Sequence, residues 1–596
     1  MNNEKTVRNY SDKVIIKRFM YYLKDHISAI IIAISLMLLV VVMNVFLPLI
    51  SKRILTELGL DTLNLSSIFI LISIYAVLMI SSYIFQYIQS IVLIKTGQKV
   101  MYVIREDVFK AIENYSIDQI NKIPNGKLVT RVTSDTNAIN QIYTTLIITL
   151  VKNILTIISS LVAIFVLNYQ LAFLVISLTP ILVVTSVIFR KYSRRAYREV
   201  RNNVSRVNSY LSENLSGMKI IQAYNQETKK YNEFEKVNND LRKSSLKEVW
   251  IFAIFRPFIY VLYMTTLLLV VYFGAKQNIV NGLADYAIIV TFQQYIGRIF
   301  DPIQVLADQF NVLQSAFAAS ERILEVVDQK PTIVDSDDAI ELDHIKGDIE
   351  FKNVWFSYNP GEWVLKDISF KINANETIAF VGATGSGKST ILSLIVRNYD
   401  IQKGQILIDG IDIKHIKISS LRRNIGQMLQ DVFIFSGTVF SNIQMNDESI
   451  TLEDVKKASE YVNLAPFIES LPNKYNEVVK ENGNNFSNGQ RQLLSFARTI
   501  VYKPSVMILD EATSNIDTET EVLIQDSLEK MSNIGTMIIV AHRLSTIQHA
   551  NKIFVIKNGE LIEQGNHQEL LHLKGYYYKL YQLQYEKKYI ENDIED

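Results

Sequence analysis

Apolar and polar positions are divided unevenly along this chain. Ile27 to Ser51 contains no charged residue, and neither does Thr62 to Ile94. At about 1.5 Å of rise per residue, about 20 residues cross a hydrocarbon core of about 30 Å, so each run predicts a membrane-spanning helix. Asn153 to Phe189 is also free of charge and too long for one span. The polar triplet Asn168-Tyr169-Gln170 divides it into two helices joined by a tight turn. Pro257 to Ala275 predicts a fifth span. Tyr286 to about Val305 predicts a sixth, although Gln293, Gln294, Arg298 and Asp301 interrupt it. One such run would suit a buried helix of a soluble core. A succession of them does not, and it also argues against a cleaved leader.

Basic residues give these spans a direction. Lys5, Arg8, Lys13, Lys17, Arg18 and Lys24 precede the first span, and many more occupy the connections 95–135 and 190–256. The three other connections hold only Lys52, Arg53 and Lys276. By the positive-inside rule, both termini are expected in the cytoplasm. Long inner connections imply that spans 2 to 5 continue as helices well beyond the bilayer. Ahead of span 1, Val14, Ile15, Phe19, Met20 and Leu23 alternate with Lys17, Arg18 and Lys24, which predicts an amphipathic interfacial helix over about 13–24.

From about Asp348 the texture changes to short β-branched runs separated by Gly and Asn turns. Ile349–Tyr358, Glu376–Val381, Gly404–Ile408, Val506–Leu509, Met537–Val540 and Lys552–Ile556 read as strands of an α/β domain with a largely parallel sheet. After Thr377–Val381 comes Gly382-Ala383-Thr384-Gly385-Ser386-Gly387-Lys388-Ser389, and then an apolar helical run that begins at Thr390. This is G-x-x-x-x-G-K-S in its strand–loop–helix setting. Its backbone N–H groups and helix N-terminus suit phosphates, Lys388 is expected at the β- and γ-phosphates, and Ser389 at Mg²⁺. A second acidic site closes the apolar strand before Asp510-Glu511. Asp510 is placed to hold Mg²⁺ through its water shell, and Glu511 to polarise an attacking water.

Composition narrows the field. Lys+Arg number 61 against 60 Asp+Glu, a net charge of +1, which removes the electrostatic case for binding nucleic acid. The absence of cysteine excludes disulfides and thiolate metal sites.

Phe486-Ser487-Asn488-Gly489-Gln490 resembles the signature motif of ATP-binding-cassette (ABC) proteins. Gln430-Asp431 is similar to the family's Q-loop, Ser514-Asn515-Ile516-Asp517 to its D-loop, and Ala541-His542-Arg543 to its switch-histidine segment. Tyr358 stands where the family has an aromatic that stacks on adenine, and Glu481 where it has an acid that communicates with the membrane domain. The motifs keep the family's order, and with the spans the resemblance covers nearly the whole chain. It is a resemblance to bacterial exporter-type half-transporters, similar to multidrug and lipid exporters.

The resemblance implies an all-α six-helix transmembrane domain over 1–325, a linker over 326–347, an α/β P-loop domain with an inserted helical signature subdomain over 348–585, and a polar tail over 586–596. It implies ATP and Mg²⁺, with Glu511, His542 and Gln430 catalytic and Gln430 joining Ser389 and Asp510 at the metal. Tyr358, residues Gly382 to Thr390, and Ser487, Asn488, Gly489 and Gln490 would bind nucleotide, the last four across a dimer interface. Short cytoplasmic helices near Ser116–Ile123 and Asn214–Gln222 would dock on the ATPase domains close to Gln430 and Glu481. Export of a small molecule, drug or lipid across the cell membrane follows, while a peptide exporter and an ATP-gated channel stay open. A soluble ABC ATPase is excluded by the spans. The signature departs from the family at Phe486 and Asn488, so both a homodimer and the catalytic half of a heterodimer stay open. Lys152 is expected to snorkel to the headgroups, and Arg298 either to face a cavity or to pair with Asp301.

Overall fold

The computed structural model describes residues 10–59, 64–281, 286–428, 432–510, 518–540 and 547–583. Packing divides the chain into two units. One is Met1–Asn114 with Ile123–Gln329, and the other is Tyr115–Lys122 with Lys330–Asp596.

The first unit is helical. The predicted interfacial helix forms as α1 (Asp12–Tyr22), capped by the Ser11 side chain, with Ile15 and Phe19 buried. It is tied down by its polar residues as well. The Tyr10 hydroxyl donates to Asp328 at 3.0 Å, Arg18 pairs with the same carboxylate at 2.5 Å, and Tyr22 donates to Asp107 at 2.9 Å. The spans follow as α2 (Ile27–Leu58) and α3 (Leu65–Glu113), the short α4 (Ile117–Lys122), then α5 (Asn125–Thr130), α6 (Thr136–Gln141) and α7 (Ile147–Leu167). π-Helical turns at Arg131–Asp135 and Ile142–Leu146 join α5 to α6 and α6 to α7. Next are α8 (Tyr169–Ser216), α9 (Met218–Ala223), α10 (Glu227–Asn281) and α11 (Tyr286–Asp328).

Asn168 makes the predicted tight turn. Its backbone is extended (φ −160°), which ends α7, and its side chain accepts from the N–H groups of Gln170 and Leu171, which starts α8. Among the described residues, five helical stretches are long and apolar enough to cross a membrane. The sixth predicted span is the continuous helix α11. It lies outside that set and carries Gln293, Gln294, Arg298 and Asp301. Much of the apolar surface of the spans points outward, as at Phe69, Val77 and Val166, which suits contact with lipid. Helix α3 and the second π turn approach closely at Gly97, where a methyl group would stand 2.2 Å from Thr144 Cγ2.

The second unit contains two larger sheets rather than one. Strands β1 (Ile349–Phe356), β2 (Leu365–Ile372), β4 (Lys403–Ile408) and β5 (Ile411–Asp412) form an antiparallel sheet in the order β2-β1-β4-β5, with β3 (Thr377–Val381) outside it. The predicted strands at 349–358 and 404–408 therefore leave the parallel sheet. The partial alternation of buried and exposed positions along β1 is the reason, because a sheet covered on one face alternates. The other sheet has the order β12-β11-β3-β10-β9-β6. It contains β6 (Ile425–Met428), β9 (Val506–Asp510), β10 (Thr536–Val540), β11 (Lys552–Lys557) and β12 (Glu560–Gly565), with β7 (Gly437–Thr438) and β8 (Val478–Val479) paired elsewhere. It is parallel apart from the β11–β12 edge. Strands β3, β9 and β10 are buried almost throughout, as the near-continuous apolar runs require.

Helix α12 (Lys388–Ile395) follows β3. A helical group lies between β5 and β9: α13 (Ile418–Asn424), α14 (Val439–Gln444), α15 (Leu452–Tyr461), α16 (Ala465–Ser470) and α17 (Asn488–Val501). The segment after α11 is stitched onto this unit. Ser336 Oγ donates to the Lys414 carbonyl, Ile418 N–H to Asp335, and the buried Arg397 guanidinium to the Val334 carbonyl.

Candidate nucleotide site

The phosphate loop turns between the C-terminal end of β3 and the first turn of α12. Gly385 and Gly387 take left-handed backbone (φ +80° and +108°), which an L side chain resists. At Gly387 and Gly382 space is closed too. A methyl at Gly387 would lie 2.6 Å from Leu365 Cδ2, and one at Gly382 would lie 2.1 Å from the Ile556 carbonyl oxygen. Ala383, Thr384 and Ser389 are exposed along the loop, while Ser386, Lys388 and Thr390 are buried.

Two features of the loop suit an anion. The Lys388 ammonium folds back across it, donating to the carbonyls of Gly382 (2.8 Å) and Ala383 (3.1 Å). Burial pushes its pKa down, opposed by the nearby charge of Asp510 at the end of β9. The Ser386 hydroxyl is buried with no hydrogen-bond partner. A buried hydroxyl without a partner is costly, and a phosphate oxygen would relieve it.

Tyr358 follows β1. Its hydroxyl lies 3.0 Å from Thr390 Oγ1, and its ring meets Phe356 and Tyr399 edge to face at 4.9 and 5.1 Å. The other predicted group sits on α17. Ser487 caps that helix through a reciprocal pair: Gln490 N–H donates to Ser487 Oγ at 3.2 Å, and Ser487 N–H donates to Gln490 Oε1 at 2.9 Å. Asn488 is exposed and accepts from Arg491, and Gly489 is buried. The arrangement presents a 14-residue helix N-terminus, whose dipole favours anions. Glu481 is exposed in a single 3₁₀ turn ahead of it. Gln430, Glu511 and His542 lie outside the described residues, as do Asp431, the whole of 514–517 and Ala541 and Arg543.

Family models match residues 30–303 as an ABC transporter transmembrane region and residues 365–514 as an ABC transporter domain. A probable multidrug resistance ABC transporter ATP-binding/permease protein of Bacillus subtilis is 38% identical over 528 residues, 87% of this chain and 77% of that protein. The chain belongs to the ABC transporter family. An ATP-dependent lipid A-core flippase of Syntrophus aciditrophicus is 33% identical over 508 residues, covering 85% of this chain and 84% of that one. The fold is similar to that of a bacterial Atm1-family ABC exporter solved with ATP bound, with a TM-score of 0.76, 24% identity, and coverage of 94% of this chain and 98% of that one. The protein is thus a multi-pass membrane transporter with an ATP-hydrolysing cassette on the same chain, and it is a half-transporter in composition, one membrane region with one cassette.

Sequence reasoning missed one group beside this site. Helix α4, within the first predicted cytoplasmic helix, packs in the ATPase unit, where Asn121 Nδ2 donates to the Tyr399 hydroxyl at 3.1 Å and Gln119 Nε2 to the Lys330 carbonyl at 3.0 Å. Ser116 Oγ accepts from Ile333 N–H at 3.0 Å. Thr390, Tyr358, Tyr399 and Asn121 thus form an unbroken series from the loop helix to α4. The available signal was an aromatic just beyond the loop helix, among polar neighbours. The second predicted cytoplasmic helix forms as α9, with Ile220 and the following Tyr224 exposed.

Proposed function

We propose that the protein works as a dimer of cassettes that exports an amphiphilic small molecule, drug or lipid by alternating access, with both termini and the cassette in the cytoplasm. The observation that carries this reading is the phosphate loop itself, with Lys388 across its mouth and the Ser386 hydroxyl buried without a partner. The names of the relatives, a multidrug resistance protein and a lipid A-core flippase, support the substrate range.

In this reading residues Gly382 to Thr390 cradle the phosphates and Tyr358 stacks on adenine. Ser487, Asn488, Gly489 and Gln490 reach the nucleotide of the partner cassette. Among the described residues Ser487 and Lys388 make only local hydrogen bonds, which supports a second cassette bringing its signature helix to the loop. Glu511 serves as the base, with His542 and Gln430 at the γ-phosphate. Mg²⁺, held by Ser389, Asp510 and Gln430, would neutralise phosphate charge. The proposed domains are 1–325, 326–347 and 348–585, with a tail over 586–596. The partner is a second copy or a different half. Asn488 stands in place of the family's signature glycine, a departure that either assembly must accommodate.

Reconstituted protein tests the reading. Lys388→Ala is expected to weaken ATP binding, and Glu511→Gln to bind ATP and hold a closed dimer. Normal ATP affinity in Lys388→Ala would remove the phosphate-loop assignment.

A further inference from the structure

The tyrosine assigned to the purine stands where its own stretch of chain does little to hold it. Tyr358 lies two residues beyond the end of β1 and is 44% exposed. A turn follows at once, closed by the Glu362 N–H donating to the Asn359 carbonyl at 3.2 Å, with Gly361 in left-handed backbone (φ +91°). A ring that must lie flat on a base needs its backbone fixed beforehand, and a loop obtains that from neighbouring elements.

The neighbour here is the start of β4. The antiparallel register of β1 with β4 ends where Trp355 faces Lys403, and the Gln402 N–H donates to the Trp355 carbonyl at 3.3 Å. Beyond that point the Gln402 side chain continues the ladder. Ser357 N–H donates to Gln402 Oε1 at 3.0 Å, and Gln402 Nε2 donates to the Ser357 carbonyl at 3.0 Å. A carboxamide carries the donor and the acceptor of a peptide group, so it pairs with Ser357 as a neighbouring strand would. Ser357 is buried, where unpaired backbone groups are costly. Its carbonyl belongs to the peptide unit that leads into Tyr358, so the pair of bonds sets the direction in which Tyr358 leaves the strand.

Lys403 holds the other stem of the same loop. Its ammonium lies 5.5 Å from the ring centres of both Trp355 and Trp363, and those rings meet edge to face at 5.4 Å. The segment from Tyr358 to Glu362 is thus anchored on both sides, while the Tyr358 hydroxyl reaches Thr390 of α12. Among the described residues the Gln402 side chain hydrogen-bonds Ser357 alone and none of the loop residues 382–390.

We infer that Gln402 is a positioning residue for the nucleotide: its carboxamide holds the Ser357 backbone so that Tyr358 meets the purine, and it acts on the base and not on the phosphates. This rests on the reading of Tyr358 as the adenine contact, and the experiment separates the two.

The full chain in nanodiscs is titrated with adenylyl imidodiphosphate, which is not hydrolysed, and with inorganic tripolyphosphate, which suits the phosphate loop but carries no base. Gln402→Ala is expected to weaken the nucleotide by about 3- to 10-fold, as the loss of this hydrogen-bonded pair implies, and to leave tripolyphosphate unchanged. Gln402→Glu keeps the size but sets a carboxylate oxygen against the Ser357 carbonyl, so it should show the same selective loss. Tyr358→Ala should lose at least as much, and Gln402→Ala added to it should cost nothing further, because the effect passes through that ring. Full nucleotide affinity in either Gln402 variant, equal loss of both ligands (the mark of a merely structural role), or additive losses in the double variant would overturn the inference and leave Tyr358 as the base contact. No selective loss in Tyr358→Ala would overturn the adenine reading itself, and the inference with it.

Discussion

Alanine at three loop glycines separates backbone strain from steric exclusion. At Gly385 the new methyl meets open space, so only the left-handed backbone (φ +80°) resists it. That costs an L-residue about 1–2 kcal/mol. If the loop must keep this conformation to bind phosphates, ATP affinity falls by about 5- to 30-fold. At Gly387 the same strain (φ +108°) is joined by a contact of 2.6 Å with Leu365 Cδ2, in a fully buried residue. Overpacking adds about 1–3 kcal/mol, so the loss is expected to exceed about 30-fold. At Gly382 the obstacle is the Ile556 carbonyl at 2.1 Å, fixed in β11, and no side chain can give way. The loss there should be at least as large as at Gly387. The assay is equilibrium binding of a fluorescent ATP analogue to the purified chain in nanodiscs. Leu365→Val, added to Gly387→Ala, should restore the steric part and leave the strain, yet do nothing for Gly382→Ala. Equal losses at all three positions, or the largest loss at Gly385, would show that steric exclusion does not set the order.

Other expectations follow from the same geometry. Tyr399→Phe removes the hydroxyl that accepts from Asn121, worth about 1 kcal/mol. ATP binding should persist while the number of molecules transported per ATP falls, as flux and phosphate release measured together would reveal; unchanged coupling counts against the series from the loop helix to α4. Arg322→Gln leaves the buried Asp135 with Arg131 alone. A loss of about 1–3 kcal/mol should appear as a lower unfolding temperature of the membrane unit, and an unchanged one would show the pair to be neutral. The Lys388 pKa is lowered by burial, so its ammonium is lost earlier than an ordinary lysine's as pH rises. Bound phosphate favours the charged form. ATP affinity should therefore decline with rising alkaline pH in wild type and stay flat in Lys388→Arg.

What the sequence revealed depended on how local the cause is. The spans were legible because a charge-free run states its own burial, and the Asn168 turn because one side chain both ends α7 and caps α8. The phosphate loop was legible because Gly385 and Gly387 answer to their own left-handed backbone, whereas the contact that closes Gly382, with Ile556, is tertiary. The antiparallel sheet was not. β1 and β2 pair across a loop, and whether β1 joins that sheet or the parallel one depends on which face is covered, a tertiary fact. Tyr399 was missed for the same reason, since its partner Asn121 is far away in the chain. Arg298 and Asp301 were visible as misplaced charges, but only the packing sets Asp301 beside Tyr263 and Arg298 beside Tyr295 and Tyr75.

ATP turnover on this cassette drives the protein. The ATPase rate of the purified chain in nanodiscs, beside its Glu511→Gln variant, tests it most directly. Turnover is expected in the assembled dimer and its loss in the variant, with ATP still bound. Turnover by the variant at the wild-type rate would contradict it.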